Sequence, residues 1–218
     1  DPIYQKSVSQ DKLEKIKQKY QLPENFVLYV GGVNPNKNIP SLIEACQSLG
    51  VNLVLVGSEF TKPARQTFSI KSKLGFQKTH PELKQLSLIK QKIKQDASIQ
   101  ALGFVPTAEL SAIYRLASLY CQPSLYEGFG LPLLEAMTAE CLVVSSNTSS
   151  LPEIYPPRVP NFNPQSIQSM KKTIKQALQL NEEQKKDIIK QAKKRADEFS
   201  WSKTANKTFQ IYNKLLAL

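Results

Sequence analysis

The chain has 218 residues, 41% of them hydrophobic, and carries a formal charge of +11 at neutral pH. That length accommodates one large α/β domain or two small ones, with enough apolar residues for a substantial core. A mean hydropathy of −0.33, and the lack of any apolar run near the ~20 residues of a spanning helix, argue against a membrane-embedded protein. The opening Asp1-Pro2-Ile3 has neither the basic stretch nor the apolar core of a signal peptide, as expected for a fragment cut from a longer protein.

The lysines concentrate between Lys62 and Lys94 and again between Lys171 and Arg195. Such a field favours an anionic partner, but nucleic acid, anionic membrane and nucleotide phosphates all qualify. In the second stretch the lysines fall on polar helix faces, the ordinary place for solvated charge.

In chain order, an amphipathic helix around Lys12 to Tyr20 precedes "NFVLYVGG", a short buried strand ending in a glycine turn that includes Gly32. "IPSLIEACQSLG" predicts a helix with Gly50 as its C-cap. "VNLVLVGS" is a second buried strand, ending at Gly57. Strand, helix, strand is a βαβ unit, and uninterrupted apolar strands predict a parallel sheet covered on both faces. Residues 58–98 interrupt the rhythm as a lysine-rich excursion closing with the helix "PELKQLSLIKQKIKQ". The one histidine, His80, reads as an exposed residue at that helix start rather than a catalytic group.

The rhythm resumes with the strand "SIQALGFV", a helix "TAELSAIYRLA" capped by Thr107, and the strand "SLYCQPS". After "SLYEGFGLPLLEAM" come the strand "CLVVSSN", a short strand in "VPNFNP", and helices over 165–180, 182–199 and 201–216. Cys46, Cys121 and Cys141 sit in apolar contexts without Cys-x-x-Cys spacing, so they read as packing residues of a reducing compartment, not metal ligands. Six short strands separated by helices predict a doubly wound α/β domain. In such sheets ligands bind beyond the carboxyl ends of the strands, which points to the loops after Val30, Val56, Leu102, Cys121 and Val144.

The stretch after Cys121 holds the most concentrated chemistry. Glu127, Gly128, Phe129 and Gly130 fall in a loop at the carboxyl edge, where the glycines let a ligand approach the backbone. Pro132 suits the first position of a helix whose free N–H groups and dipole attract phosphate or sugar oxygens. Glu135, one turn in, leans back toward the same mouth. Two acceptor-only carboxylates beside a donor-rich backbone suit a ligand carrying both hydroxyls and phosphates. The alternative is that both glutamates merely favour the helix start electrostatically.

The run from Glu127 through Gly128-Phe129-Gly130-Leu131-Pro132-Leu133-Leu134 to Glu135-Ala136-Met137 resembles the signature of the family 4, "group 1", retaining glycosyltransferases of the GT-B fold. "LYVGGVNPNKN", "LVLVGS", "LGFVPTAELSAIYRLASLYCQPS", "SSNTSSLPEI" and "FSWSKTANKTFQIY" are similar to further stretches of that family, covering roughly residues 20 to 216. The resemblance implies a Rossmann-like parallel sheet of about six strands flanked by helices, forming one half of a GT-B enzyme. It implies that residues 1–218 are a single C-terminal donor-binding domain with a closing helix at 201–217, its N-terminal acceptor domain absent, so that the fragment alone is inactive.

By the same resemblance Glu127 and Lys37 are catalytic, and Gly32, Lys37, Gly57, Glu127, Gly128, Phe129, Gly130, Leu131 and Glu135 bind the donor. Lys37 contacts the diphosphate, with backbone near Leu131 and Pro132 completing the cradle, and Glu135 contacts the ribose hydroxyls. The donor implied is a nucleotide-diphosphate sugar, GDP-mannose favoured and UDP-sugars the alternative, and the acceptor a saccharide or lipid-linked saccharide. No cofactor or metal is expected. The implied location is cytoplasmic, with peripheral contact to an anionic membrane at its inner face.

Three departures stand out: no arginine precedes Lys37, Tyr155-Pro156-Pro157-Arg158 replaces Gly-Asp-Ala, and Glu140-Cys141-Leu142 replaces Gly-x-Pro. The first leaves phosphate binding to Lys37 alone or to help from the lysines of 62–94. Two other classes compete: a non-catalytic nucleotide-binding scaffold, and a nucleic-acid-binding module. The second lacks aromatics interleaved with its lysines and any recognition motif, so no nucleic-acid partner is expected.

Overall fold

In a computed structural model of the chain, residues 2–62 and 81–216 are described. His80 and the central part of the lysine-rich excursion lie outside the described residues.

The strands are β1 (Phe26–Val30), β2 (Asn52–Val56), β3 (Ile99–Gly103), β4 (Leu119–Gln122), β5 (Val143–Ser146) and β6 (Asn161–Phe162). They form one sheet of order β3-β2-β1-β4-β5-β6, every pair parallel. Leu28 sits at the centre, opposite Val54 on one side and Tyr120 on the other. Val27, Leu28 and Tyr29, like Leu53, Val54 and Leu55, are wholly buried, which is why these strands read as unbroken apolar runs.

Ten helices are present among the described residues: α1 (Gln10–Tyr20), α2 (Ile39–Leu49), α3 (Ser58–Thr61), α4 (Pro81–Gln95), α5 (Thr107–Leu116), α6 (Leu131–Thr138), α7 (Leu151–Ile154), α8 (Ile167–Leu178), α9 (Glu182–Ala196) and α10 (Trp201–Leu216). Gly50 ends α2 in a left-handed conformation, φ 65°, its N–H reaching the carbonyls of Cys46 and Gln47. Asn181 and Gln184 form a reciprocal capping box at the start of α9.

Some local expectations are corrected. Thr107 is the first residue of α5 rather than its cap. Pro106 stands at the cap with no side-chain acceptor, and its carbonyl takes the N–H groups of Glu109 and Leu110. Glu109 turns instead to Lys19, at 2.7 Å, tying α5 to α1. Pro132 is the second residue of α6, which begins at Leu131. Short α7 and the 3-10 turn Pro35–Lys37 form where no element was expected. Helix α10 does not close over the sheet: all its described side chains are exposed.

Glu140 explains one departure physically. It adopts a left-handed φ of 60°, a conformation a glycine at this position takes without the Cβ cost of ~1–2 kcal/mol. The three cysteines are free and buried, and burial pushes the Cys46 and Cys141 thiols up to about 12, consistent with packing residues.

Candidate functional site

The strand order reverses direction between β1 and β4, and a crevice at that switch point is where an open parallel sheet receives ligands. The loops leaving these two strands carry Lys37 and Glu127. They are stitched together: the Leu125 N–H donates to the Asn36 carbonyl at 2.7 Å. Asn38, buried and left-handed at φ 53°, donates its amide to the carbonyls of Pro123 (3.1 Å) and Pro164 (2.9 Å). The 3-10 turn ending at Lys37 therefore has a fixed seat against the β4 loop.

Lys37 Nζ sits 2.6 Å from Glu127 Oε1, with the two side chains only 21% and 10% exposed. Two further donors converge on the same oxygen: Gln122 Nε2 at 2.8 Å and Ser124 Oγ at 2.7 Å. The Glu127 N–H donates to Ser149 Oγ at 2.9 Å, and its carbonyl accepts from Ser150 Oγ at 2.9 Å. Glu127 is thus held at backbone and side chain alike, in a partly buried setting where charge-assisted bonds are short and strong.

Beyond Glu127 the chain offers donors. The N–H groups of Gly128, Phe129, Gly130 and Leu131 find no acceptor among the described residues. They lead into α6, whose dipole adds partial positive charge at the same place. Around Gly128 an added Cβ would meet nothing, so the approach is open. Gly130 is required by conformation: its φ is 107°, and a Cβ there would come within 2.7 Å of Leu151 Cδ2.

Glu135 occupies a different environment. The Tyr114 hydroxyl stands 3.2 Å from Glu135 Oε2, and the Tyr4 phenol interacts with the same carboxyl. Burial raises its carboxyl above the ordinary value near 4.5, against the lowering effect of the two phenols. Tyr4 is delivered by the N-terminal 3-10 turn Pro2–Tyr4, packs edge-on against Tyr114, and has its carbonyl held by Arg115 Nη2 at 3.1 Å. The two carboxylates meet electrostatically at Tyr120, which feels both from its place in β4. Burial pushes the Tyr114 and Tyr120 hydroxyls well up, so both remain donors.

The structure therefore brings Lys37, Glu127, Gly128 and Gly130 together, with Leu131 at the start of α6. Gly32 and Gly57 have reasons of their own. A Cβ on Gly57 would lie 2.2 Å from the Gly31 carbonyl, and one on Gly32 would lie 3.0 Å from Glu59 Oε2. The Phe129 ring packs edge-on against Phe199 at 5.6 Å, so its backbone is the part left for a ligand. Two described lysines of the excursion bond elsewhere: Lys90 donates to the Lys62 carbonyl and Lys92 to Gln47. A cavity of about 620 Å³ lined by Phe60, Lys62, Lys90 and Lys94 among others holds none of the sequence-predicted site residues. Among the described residues no group of three His, Cys, Asp or Glu side chains is arranged to hold a metal ion.

Sequence reasoning missed Gln122, Ser124, Ser149, Ser150, Tyr4 and Tyr114. The signal for Gln122 was available: an amide inside an apolar strand needs a partner.

A family model described as "Glycosyl transferases group 1" matches residues 11–195. The serotype-specific mannosyltransferase WbdA of Escherichia coli is 30% identical over 209 residues, which is 95% of this chain and 24% of that protein. The O-antigen chain mannosyltransferase B of Escherichia coli is 31% identical over 199 residues, 91% of this chain and 48% of that protein. The chain thus spans between a quarter and a half of these relatives.

Among solved structures, sucrose-phosphate synthase from Thermosynechococcus elongatus superimposes with a TM-score of 0.73 at 25% identity, covering 94% of this chain and 49% of that one. HepE of Anabaena, in complex with UDP and glucose, gives 0.72 at 21% identity, covering 99% and 55%. With the GT-B-like sheet, the signature from Glu127 to Glu135 and the family match over most of its length, the chain belongs to the group 1 glycosyltransferases.

Proposed function

We propose that this chain is the donor-binding half of a retaining glycosyltransferase that moves a hexosyl group from a nucleotide-diphosphate sugar to a saccharide or lipid-linked acceptor. GDP-mannose is the favoured donor, supported by the mannosyltransferases among its relatives. The UDP and glucose held by HepE keep UDP-sugars as the alternative. The observation that carries the reading is the meeting of the Lys37 ammonium, the Glu127 carboxylate and the N–H groups of 128–131, unpaired among the described residues, at the switch point.

The chemistry follows from charge. As the bond between the anomeric carbon and the diphosphate breaks, its electron pair passes to a phosphate oxygen. An ammonium and a helix N-terminus aimed at that oxygen stabilise the departing diphosphate more than the intact donor. Lys37 supplies the ammonium, α6 the helix end, and Glu135 an acceptor for ribose hydroxyls in exchange for its phenol contacts. Lys37 does this without a metal. The acceptor groups come from the other half of the enzyme, so this chain by itself binds donor without turnover.

That other half is the partner we assign to α10. Trp201, Ala205, Phe209, Tyr212, Leu215 and Leu216 form one exposed apolar stripe, with Lys203, Lys207 and Lys214 on the opposite side. No described helix is long and apolar enough to cross a membrane. Location at the cytoplasmic face of an anionic membrane rests on exposed lysines such as Lys186, Lys190 and Lys194, one turn apart along α9. Vesicle sedimentation with and without anionic lipid tests it.

Calorimetric titration of the folded, complete protein with GDP, UDP and GDP-mannose tests the central reading. Binding of a sugar nucleotide is expected, and none at millimolar concentration contradicts it.

A further inference from the structure

Gln122 is 1% exposed, an uncharged polar side chain at the carboxyl end of β4. A buried amide there is destabilising unless every polar atom is bonded, and here every one is. Its Oε1 accepts from the Tyr120 hydroxyl, and its Nε2 donates to Ser124 Oγ and Glu127 Oε1, each at 2.8 Å. The Tyr120 hydroxyl could pair with either end of the amide, but the carboxylate has only acceptors. The amide is therefore fixed with its NH2 toward Glu127 and its oxygen toward Tyr120, because the flipped form would set its oxygen against Glu127 Oε1.

The consequence falls on Glu127. Oε1 receives Lys37, Gln122 and Ser124, whereas Oε2 has no partner among the described residues. A carboxylate held in this way presents a single directed acceptor. When a diphosphate draws Lys37 away, two of the three bonds on Oε1 remain, and the carboxylate keeps its aim.

We infer that Gln122, itself anchored by Tyr120, is the positioning residue of the Glu127 carboxylate, leaving Oε2 as the acceptor for a hydroxyl of the donor's sugar. The inference rests on the proposed function of the site. It makes Gln122 matter for the sugar and not for the nucleotide, a split that a merely structural role does not produce.

The test uses the complete protein, its Gln122→Leu variant and its Tyr120→Phe variant, with folding checked by thermal unfolding. Dissociation constants are measured for GDP-mannose against GDP and for UDP-glucose against UDP. For whichever pair binds, Gln122→Leu is expected to weaken the sugar nucleotide about ten-fold while leaving the nucleotide within about two-fold, as loss of a bond to a charged group implies. Tyr120→Phe, which keeps the ring and removes only the hydroxyl, is expected to shift the same ratio in the same direction by a smaller factor, and it carries the test should Gln122→Leu not fold.

Folded variants that keep the wild-type ratio, or that lose nucleotide and sugar nucleotide equally, overturn the inference while the functional reading stands. A wild-type protein that binds no sugar nucleotide overturns the functional reading itself, and the inference with it.

Discussion

Glu127 and Glu135 stand eight residues apart in one motif, yet the fold gives them opposite surroundings. Glu127 faces an ammonium at 2.6 Å and two neutral donors, all on one oxygen. Glu135 accepts from the Tyr114 phenol with the Tyr4 phenol beside it, and burial raises its carboxyl. Sharing a charge partner with an incoming diphosphate and accepting neutral hydroxyls are different tasks. Two identical side chains can be fitted to them by environment alone. On the proposed reading, Glu127 belongs to the sugar and the leaving phosphate, and Glu135 to the ribose.

The largest effect that sharpens this contrast is on the cation. Lys37→Ala removes the only ion-pair partner of Glu127 among the described residues and is expected to lower transfer by the complete protein on the order of 10²-fold or more. Steady-state kinetics reading near wild type would break the assignment of Lys37 to the leaving group. Next comes the hinge between the two acids. Gly130→Ala forces a side chain onto a φ of 107° and into Leu151, and is expected to cost about 1–3 kcal/mol in urea unfolding.

Glu135→Gln is expected to weaken sugar-nucleotide binding about ten-fold at neutral pH, and it carries a pH signature. The wild-type carboxyl sits above its ordinary value, so affinity falls as pH drops through that raised value, earlier than for an ordinary carboxylate. The variant lacks that limb. The sign for stability is the reverse: the folded state binds this proton more tightly than the unfolded chain. Relative to Glu135→Gln, the wild type therefore gains stability as pH falls through the raised value toward the unfolded one. Unfolding of both proteins at stepped pH reads the difference, and a constant difference would count against burial as the cause. The smallest effect lies outside the site: Phe209→Ser on exposed α10 is expected to change stability of this chain alone by less than about 0.5 kcal/mol.

Much of the contrast was hidden in the sequence for a physical reason. Buried parallel strands announce themselves as apolar runs, so β1, β2, β4 and β5 and the switch-point loops were legible, as was, to within one residue, the helix start after Gly130. The spacing of Glu127 and Glu135 on either side of that start was legible too, and the resemblance added Lys37. The surroundings of each acid were not. Tyr4 reaches Glu135 across 131 positions, and Lys37 meets Glu127 across 90. Periodicity reports which face a residue takes, not which distant side chain will share it. Gly57 likewise has a packing reason that periodicity could not show: a Cβ there would lie 2.2 Å from the Gly31 carbonyl.

Titration of the Glu127→Gln and Glu135→Gln proteins with a nucleoside diphosphate carrying no sugar tests the division of labour most directly. Removing the charge of Glu127 releases Lys37 to the diphosphate, so affinity for GDP or UDP should rise several-fold. Removing that of Glu135 withdraws the ribose acceptor, so affinity should fall. Shifts of the same sign in both variants would contradict it.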